Sequence, residues 1–178
     1  MKILIFSLSI ALFLVLGTEE VYAQHDEEHH HHGLNEIGVN FGGLYAIDDK
    51  GWGAGVHMHY FRSLGEHSRW AIGGFVEQTL FMDNHFAMGV GAKFNLLDRL
   101  SLTAMPGIVF TKHDHSDHAH DHEDHDHDNS TKTKFSVHTE LTYVLFEWGK
   151  FHMGPAIDYS WSKNDSHMML GVHAAFDF

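Results

Sequence analysis

HMMLGVHAAFDF, residues 167–178, decides how this chain is read. Taken in alternation it separates into two faces. Leu170, Val172, Phe176 and Phe178 fall on one, and Gly171, His173 and Asp177 on the other. Alternation of this kind marks a β-strand whose two faces meet different surroundings.

The same period runs back through the sequence. Phe151–Trp161 precedes it across a turn at Lys163-Asn164-Asp165, and Lys132–Glu147 precedes that across Trp148-Gly149-Lys150. Further upstream lie Leu100–Thr111, His85–Leu96, Arg69–Phe81, Trp52–Arg62 and Glu36–Ile47. Their turns fall at Asp98-Arg99, Met82-Asp83-Asn84 and Asp48-Asp49-Lys50-Gly51. Evenly spaced alternating segments of about ten residues, joined by turn chemistry, predict a transmembrane β-barrel. No stretch after residue 23 holds a helical period over three turns.

The two faces choose between a soluble and a membrane barrel. One carries Val39, Phe41, Tyr45, Trp52, Val56, Met58, Tyr60, Trp70, Ile72, Val76, Phe86, Met88 and Val90, and continues in kind to Phe178. The other carries Gly38, Asn40, Gly42, Gly55, His57, His59, Gly73, Glu77, Gly89, Gly91, Lys93, His138, Glu140, His152, Asp158, His173 and Asp177. An eight-stranded barrel is only wide enough for side chains to fill it. The bulky face does not fit inside and must point to lipid. Aromatic residues gather towards the strand ends. Tyr45, Trp52, Phe110, Tyr159 and Trp161 form one set, and Tyr60, Trp70, Phe94, Tyr143, Phe151 and Phe178 the other, as interfacial girdles do. The expected fold is all-β: a closed, antiparallel, eight-stranded, up-and-down transmembrane barrel over residues 34–178.

The first 23 residues are read as a cleaved signal peptide. Lys2 supplies the positive charge, Ile3–Leu16 the apolar run, and Val21-Tyr22-Ala23 the cleavage site. The chain has no cysteine, so an exported fold must do without disulfides and thiolate metal sites. A formal charge of −13 with neutral His argues against nucleic acid as a partner.

With the leader, the alternating strands and the terminal Phe176-Asp177-Phe178, the chain resembles the small outer-membrane β-barrel proteins of Gram-negative bacteria, the OmpX/OmpA-like class. The resemblance implies residence in the outer membrane and recognition of the terminal Phe by the outer-membrane assembly machinery. It also implies periplasmic termini, so that the longest connection, 112–131, faces the outside.

That connection holds HDHSDHAHDHEDHDHD, residues 113–128. Such a polar run cannot bury apolar surface and is expected to be a solvated loop. Its imidazoles and carboxylates suit borderline divalent metals, zinc foremost, then nickel, copper and cobalt. The expected ligands are His113, His115, Asp117, His118, His120, Asp121, His122, Asp124, His125, Asp126 and His127. A second patch within 24–33, also expected to be disordered, adds His29, His30, His31 and His32. Binding is expected to be weak, labile and dependent on neutral imidazole. The function expected is capture or buffering of divalent transition metal, with transfer to a separate transporter. The alternatives are a structural or adhesive barrel and a narrow porin-like protein.

Two further sets of residues stand out in the sequence. The inward His57, His59, His85, His138, His152 and His173, with Glu77, Glu140 and Asp158, read as a packed polar network, with Lys93 or Lys134 pairing Glu77 or Glu140. Ser160, Ser162, Ser166 and His167 cluster near one rim, but no spacing fixes an activating third group, so no enzyme is expected.

Overall fold

A computed structural model of the chain describes residues 33–80, 85–112 and 131–178. The expected signal peptide and His-rich patch before Gly33, the expected turn at Met82-Asp83-Asn84 with Phe81 before it, and the His/Asp tract lie outside the described residues. The strands are β1 (Asn35–Ala46), β2 (Gly51–Ser63), β3 (Trp70–Leu80), β4 (His85–Leu97), β5 (Leu100–Lys112), β6 (Thr131–Tyr143), β7 (Phe146–Trp148), β8 (Phe151–Ser162) and β9 (His167–Asp177). They form one antiparallel sheet in the order β6-β5-β4-β3-β2-β1-β9-β8-β7, and β6 also pairs with β8, which closes the ring. β6 and β7 share one place in it, so the barrel is an eight-stranded meander, as the alternation predicts. Left-handed residues sit in the turns: Lys50 (φ 54), Gly149 (φ 60) and Asn164 (φ 60).

The sixth strand departs from the unbroken run expected over Lys132–Glu147. Thr142 pairs with Ala156 and Phe146 with Met153, so four steps on one strand oppose three on the other. The extra residue is a bulge. Gly154 permits it: the Tyr143 carbonyl packs where a Cβ on residue 154 would stand.

Closure fixes the shear, which the sequence leaves open. From Ala46 the pairing runs through His167, Ser160, His138 and Met105. The register of Ala92 with Ala104 sets Gly91 opposite Met105, and the path continues through Gly73 and Phe61 to Glu36. The circuit returns to β1 ten residues from its start, at position 36 from position 46. In an eight-stranded barrel, stagger on this scale accompanies a strand tilt of roughly 40°.

The bulky face points out. Trp52 is 76% exposed, Val90 67% and Leu170 63%, and Phe41, Ile72, Ile108, Leu141 and Val172 continue the belt around the wall. Apolar surface of that extent needs acyl chains. At one rim the Tyr45 and Trp52 rings lie 4.9 Å apart on paired strands, and at the other Trp70 and Phe94 lie 4.6 Å apart.

The inside is less purely small and polar than the alternation suggests. Leu44, Phe61, Phe75, Met105, Val109 and Met169 are buried there, and Phe61, Ala71, Phe75, Ala87, Met105 and Val109 make one apolar cluster. Phe75 lies over Gly89 and Gly107, and Met105 over Gly91, in space that Cβ atoms would occupy. The lumenal glycines make room for a few large side chains.

Candidate functional site

The eleven expected ligands of the tract, His113 to His127, and His29–His32 lie outside the described residues. The strands that carry the tract are described. Lys112 pairs with Thr131, so the tract leaves and rejoins the barrel at adjacent points of one rim. The Ile47–Lys50 and Lys163–Ser166 connections lie at that rim, whereas Gly33 and Phe178 lie at the other.

All the inward histidines and acids expected from the alternation are buried. Cross-strand register places them. Asn40 sits opposite both His57 and His173, His57 opposite Glu77, His138 opposite Ser160, and Glu140 opposite Asp158. Opposed residues of an antiparallel pair share a face, so a narrow ring crowds them together.

Among the described residues, most of them fall into four groups between the two rims. His85, Asp165 and His167 stand at the tract rim, followed by Glu77, His138, Asp158 and His167. His57, His59 and Glu140 come next, then Glu36, His59 and His173. Shared residues, His167 and His59, link neighbouring groups. His85 Nδ1 is 3.1 Å from Asp165 Oδ2, and His167 Nε2 is 3.0 Å from Glu77 Oε1. His138 Nδ1 is 3.2 Å from Glu77 Oε2 and 3.9 Å from Asp158 Oδ1. His57 Nδ1 is 3.4 Å from Glu140 Oε2 and 3.6 Å from Asp158 Oδ2. His59 Nε2 is 3.2 Å from Glu36 Oε1, and the His59 and His173 rings stack 5.3 Å apart. Asn40 ties the lower groups: its Nδ2 donates to Glu140, and its Oδ1 pairs with His173 Nδ1 at 3.0 Å.

The expected lysine pairs are different. Lys93 meets Glu36 rather than Glu77 or Glu140. The ionisable partners described for Glu77 are His85, His138 and His167, and those for Asp158 are His57 and His138. Glu36, Asp165 and the lumenal role of His167 went unread in the sequence, although Glu36 keeps step with Gly38 and Asn40. At the rim turn, burial pushes the Asp165 carboxyl up, but the close contact and charge of His85 outweigh it and hold the group below the usual carboxylate range.

Two of the three rim serines turn inward. Ser160 and Ser162 are buried, and Ser160 Oγ lies 3.3 Å from His138 Nε2. Ser160, His138 and Glu77 follow one another in the order of an activated-serine relay, but His138 Nδ1 and Glu77 Oε2 make no hydrogen bond. With Ser160 only 1% exposed, no substrate carbonyl reaches it while the barrel is closed.

A cavity of about 320 Å³ opens at the tract rim, lined by Leu44, Thr79, His85, Lys134, Asp165 and His167. A smaller one of about 80 Å³ lies at the other rim, lined by Glu36, Phe61, Lys93 and His152 among others. His57, His138 and Met105 are fully buried between them. Mixed imidazole and carboxylate donors in such a setting can hold a borderline divalent cation or share protons.

No protein-family model matches the chain, and no curated protein matches it in sequence. Solved structures match in fold. The chain is similar to Ail, the attachment invasion locus protein of Yersinia pestis, at 16% identity and a TM-score of 0.52, over 82% of this chain and 99% of that one. It is similar to Neisserial surface protein A at 9% identity and a TM-score of 0.51, over 81% of this chain and 97% of that one. The fold is that of the small eight-stranded outer-membrane β-barrels.

Proposed function

We propose that this is an outer-membrane barrel that displays the 113–128 tract at the cell surface, where it binds or buffers divalent transition metals, zinc foremost, as an accessory to metal handling. One observation carries the reading: a run of imidazoles and carboxylates springs from adjacent strand ends at one rim of a closed apolar-walled barrel. Donors spaced this closely surround an ion without a preset scaffold, which gives fast exchange and little metal selectivity. The His29–His32 patch supplies a second weak site on the opposite, periplasmic side. The leader at residues 1–23 directs export, the terminal Phe178 engages the assembly machinery, and captured metal passes to a separate transporter.

The test is titration of zinc and nickel into refolded chain with and without residues 113–128. Loss of most of the labile sites on deletion supports the reading, and unchanged affinity and stoichiometry removes it. Growth under metal limitation and excess then separates use from incidental affinity.

A structural or adhesive role is the second reading. Ail, similar in fold, is named for attachment and invasion. On that reading the acidic tract is a hydrated surface, and its deletion alters cell adhesion but not growth at any metal level. A silent conductance trace in planar bilayers sets aside a pore.

A further inference from the structure

We infer that the lumen is built to hold one divalent transition-metal ion, of the zinc class, between Glu77, His138, Asp158 and His167. The site lies apart from the surface tract and stands whether or not the tract binds metal.

The four residues come from β3, β6, β8 and β9, and each is at most 2% exposed. One ligand atom from each lies within 4.8 Å of all the others. Four donors around a tetrahedral zinc stand roughly 3.4 Å apart, so small side-chain shifts close the shell. Two imidazoles and two carboxylates form a donor set suited to zinc and cobalt.

The hydrogen bonding points the same way. Glu77 Oε2, His138 Nδ1 and both carboxylate oxygens of Asp158 are buried and make no hydrogen bond. Glu77 Oε2 and His138 Nδ1 lie 3.2 Å apart, and neither makes a hydrogen bond. Buried polar atoms are ordinarily satisfied, and orphaned ones call for a missing partner. Ser160 Oγ beside His138 Nε2 supplies the outer support that fixes a ligand imidazole, with Nδ1 left to face the centre. A dication also neutralises the two buried carboxylates, whose described ionisable partners are all imidazoles. His167 joins this site to the His85–Asp165 pair beside the rim cavity, which gives the ion a way in.

The test uses the full-length chain, refolded in detergent, with His25, His29–His32 and every His of 113–127 replaced by Gln. After zinc loading and desalting, one tightly held equivalent per chain is expected. Glu77→Gln and His167→Gln should each weaken binding at least about tenfold. Cobalt in place of zinc should give the intense visible bands of a four-coordinate ion. No retained zinc, or retention that Glu77→Gln and His167→Gln leave unchanged, overturns the site. If either variant fails to assemble, as judged by heat-modifiable migration, the cobalt spectrum of the parent decides. Four-coordinate bands support the site, and weak six-coordinate bands overturn it in favour of a proton-sharing network.

Discussion

Glu77 Oε2 and His138 Nδ1 lie 3.2 Å apart across the lumen, although they belong to β3 and β6, which are not neighbours in the sheet. Contact between such strands requires a ring narrow enough for opposite walls to touch through their side chains. The interior is thus a single packed network, and substitutions in it should be felt across the barrel.

Asn40 is the first case. It is fully buried and joins Glu140 to His173. Asn40→Ala strips a partner from both and should destabilise the barrel by about 1–3 kcal/mol, read from urea unfolding in lipid vesicles. An unchanged midpoint would mean that the bridge contributes nothing.

Two adjacent glycines should behave oppositely. A Cβ at Gly42 would strike the backbone of Leu170 and Gly171 on β9, whereas one at Gly43 meets nothing within 4 Å. Gly42→Ala should cost about 1–3 kcal/mol or prevent closure, and Gly43→Ala should stay within about 0.5 kcal/mol. Equal effects in the same unfolding assay would refute the β1–β9 register.

The outer wall offers a third test. Val90 is 67% exposed on β4. Val90→Arg should cost about 2–4 kcal/mol if that position lies deep in acyl chains. Asp49→Arg, in a turn, should change stability by less than about 0.5 kcal/mol. Comparable small effects at both would argue for water at the wall.

Asp165 sets a pH dependence. Its carboxyl is held low by His85, so its contribution is complete above the unfolded carboxylate value of about 3.9 and fades as pH falls through the lower folded value. Below about pH 4 the wild-type unfolding midpoint should drop more steeply than that of Asp165→Asn. Parallel curves would show that the rim pair contributes nothing.

Much of this was legible in the residues. Period two gave the strands, the turns and the inward face, because a pleated strand separates its faces without help from the rest of the fold. Phe61 and Phe75 keep step with His57, His59 and Glu77, but alternation does not say how rings of that size fit a narrow lumen. Their place depends on glycines of other strands, Gly89 and Gly107, that no local pattern ties to them. The bulge after Tyr143 likewise depends on Gly154 across the ladder. The grouping of Glu77 with His138, Asp158 and His167 needs the shear, which exists only once the ring has closed. Lys93 reaches Glu36 for the same reason.

The most direct test of the central claim, that the bulky face meets lipid, uses the absence of native cysteine. Nitroxide labels placed singly at Val90, Leu170 and Val172 report collisions with dissolved oxygen and with a water-soluble chromium complex in vesicles. The predicted result is high oxygen contact with almost none from the complex at all three, and the reverse at a label on Asp49. Ready contact of the complex with Val90, Leu170 and Val172 would contradict the barrel's place in a membrane.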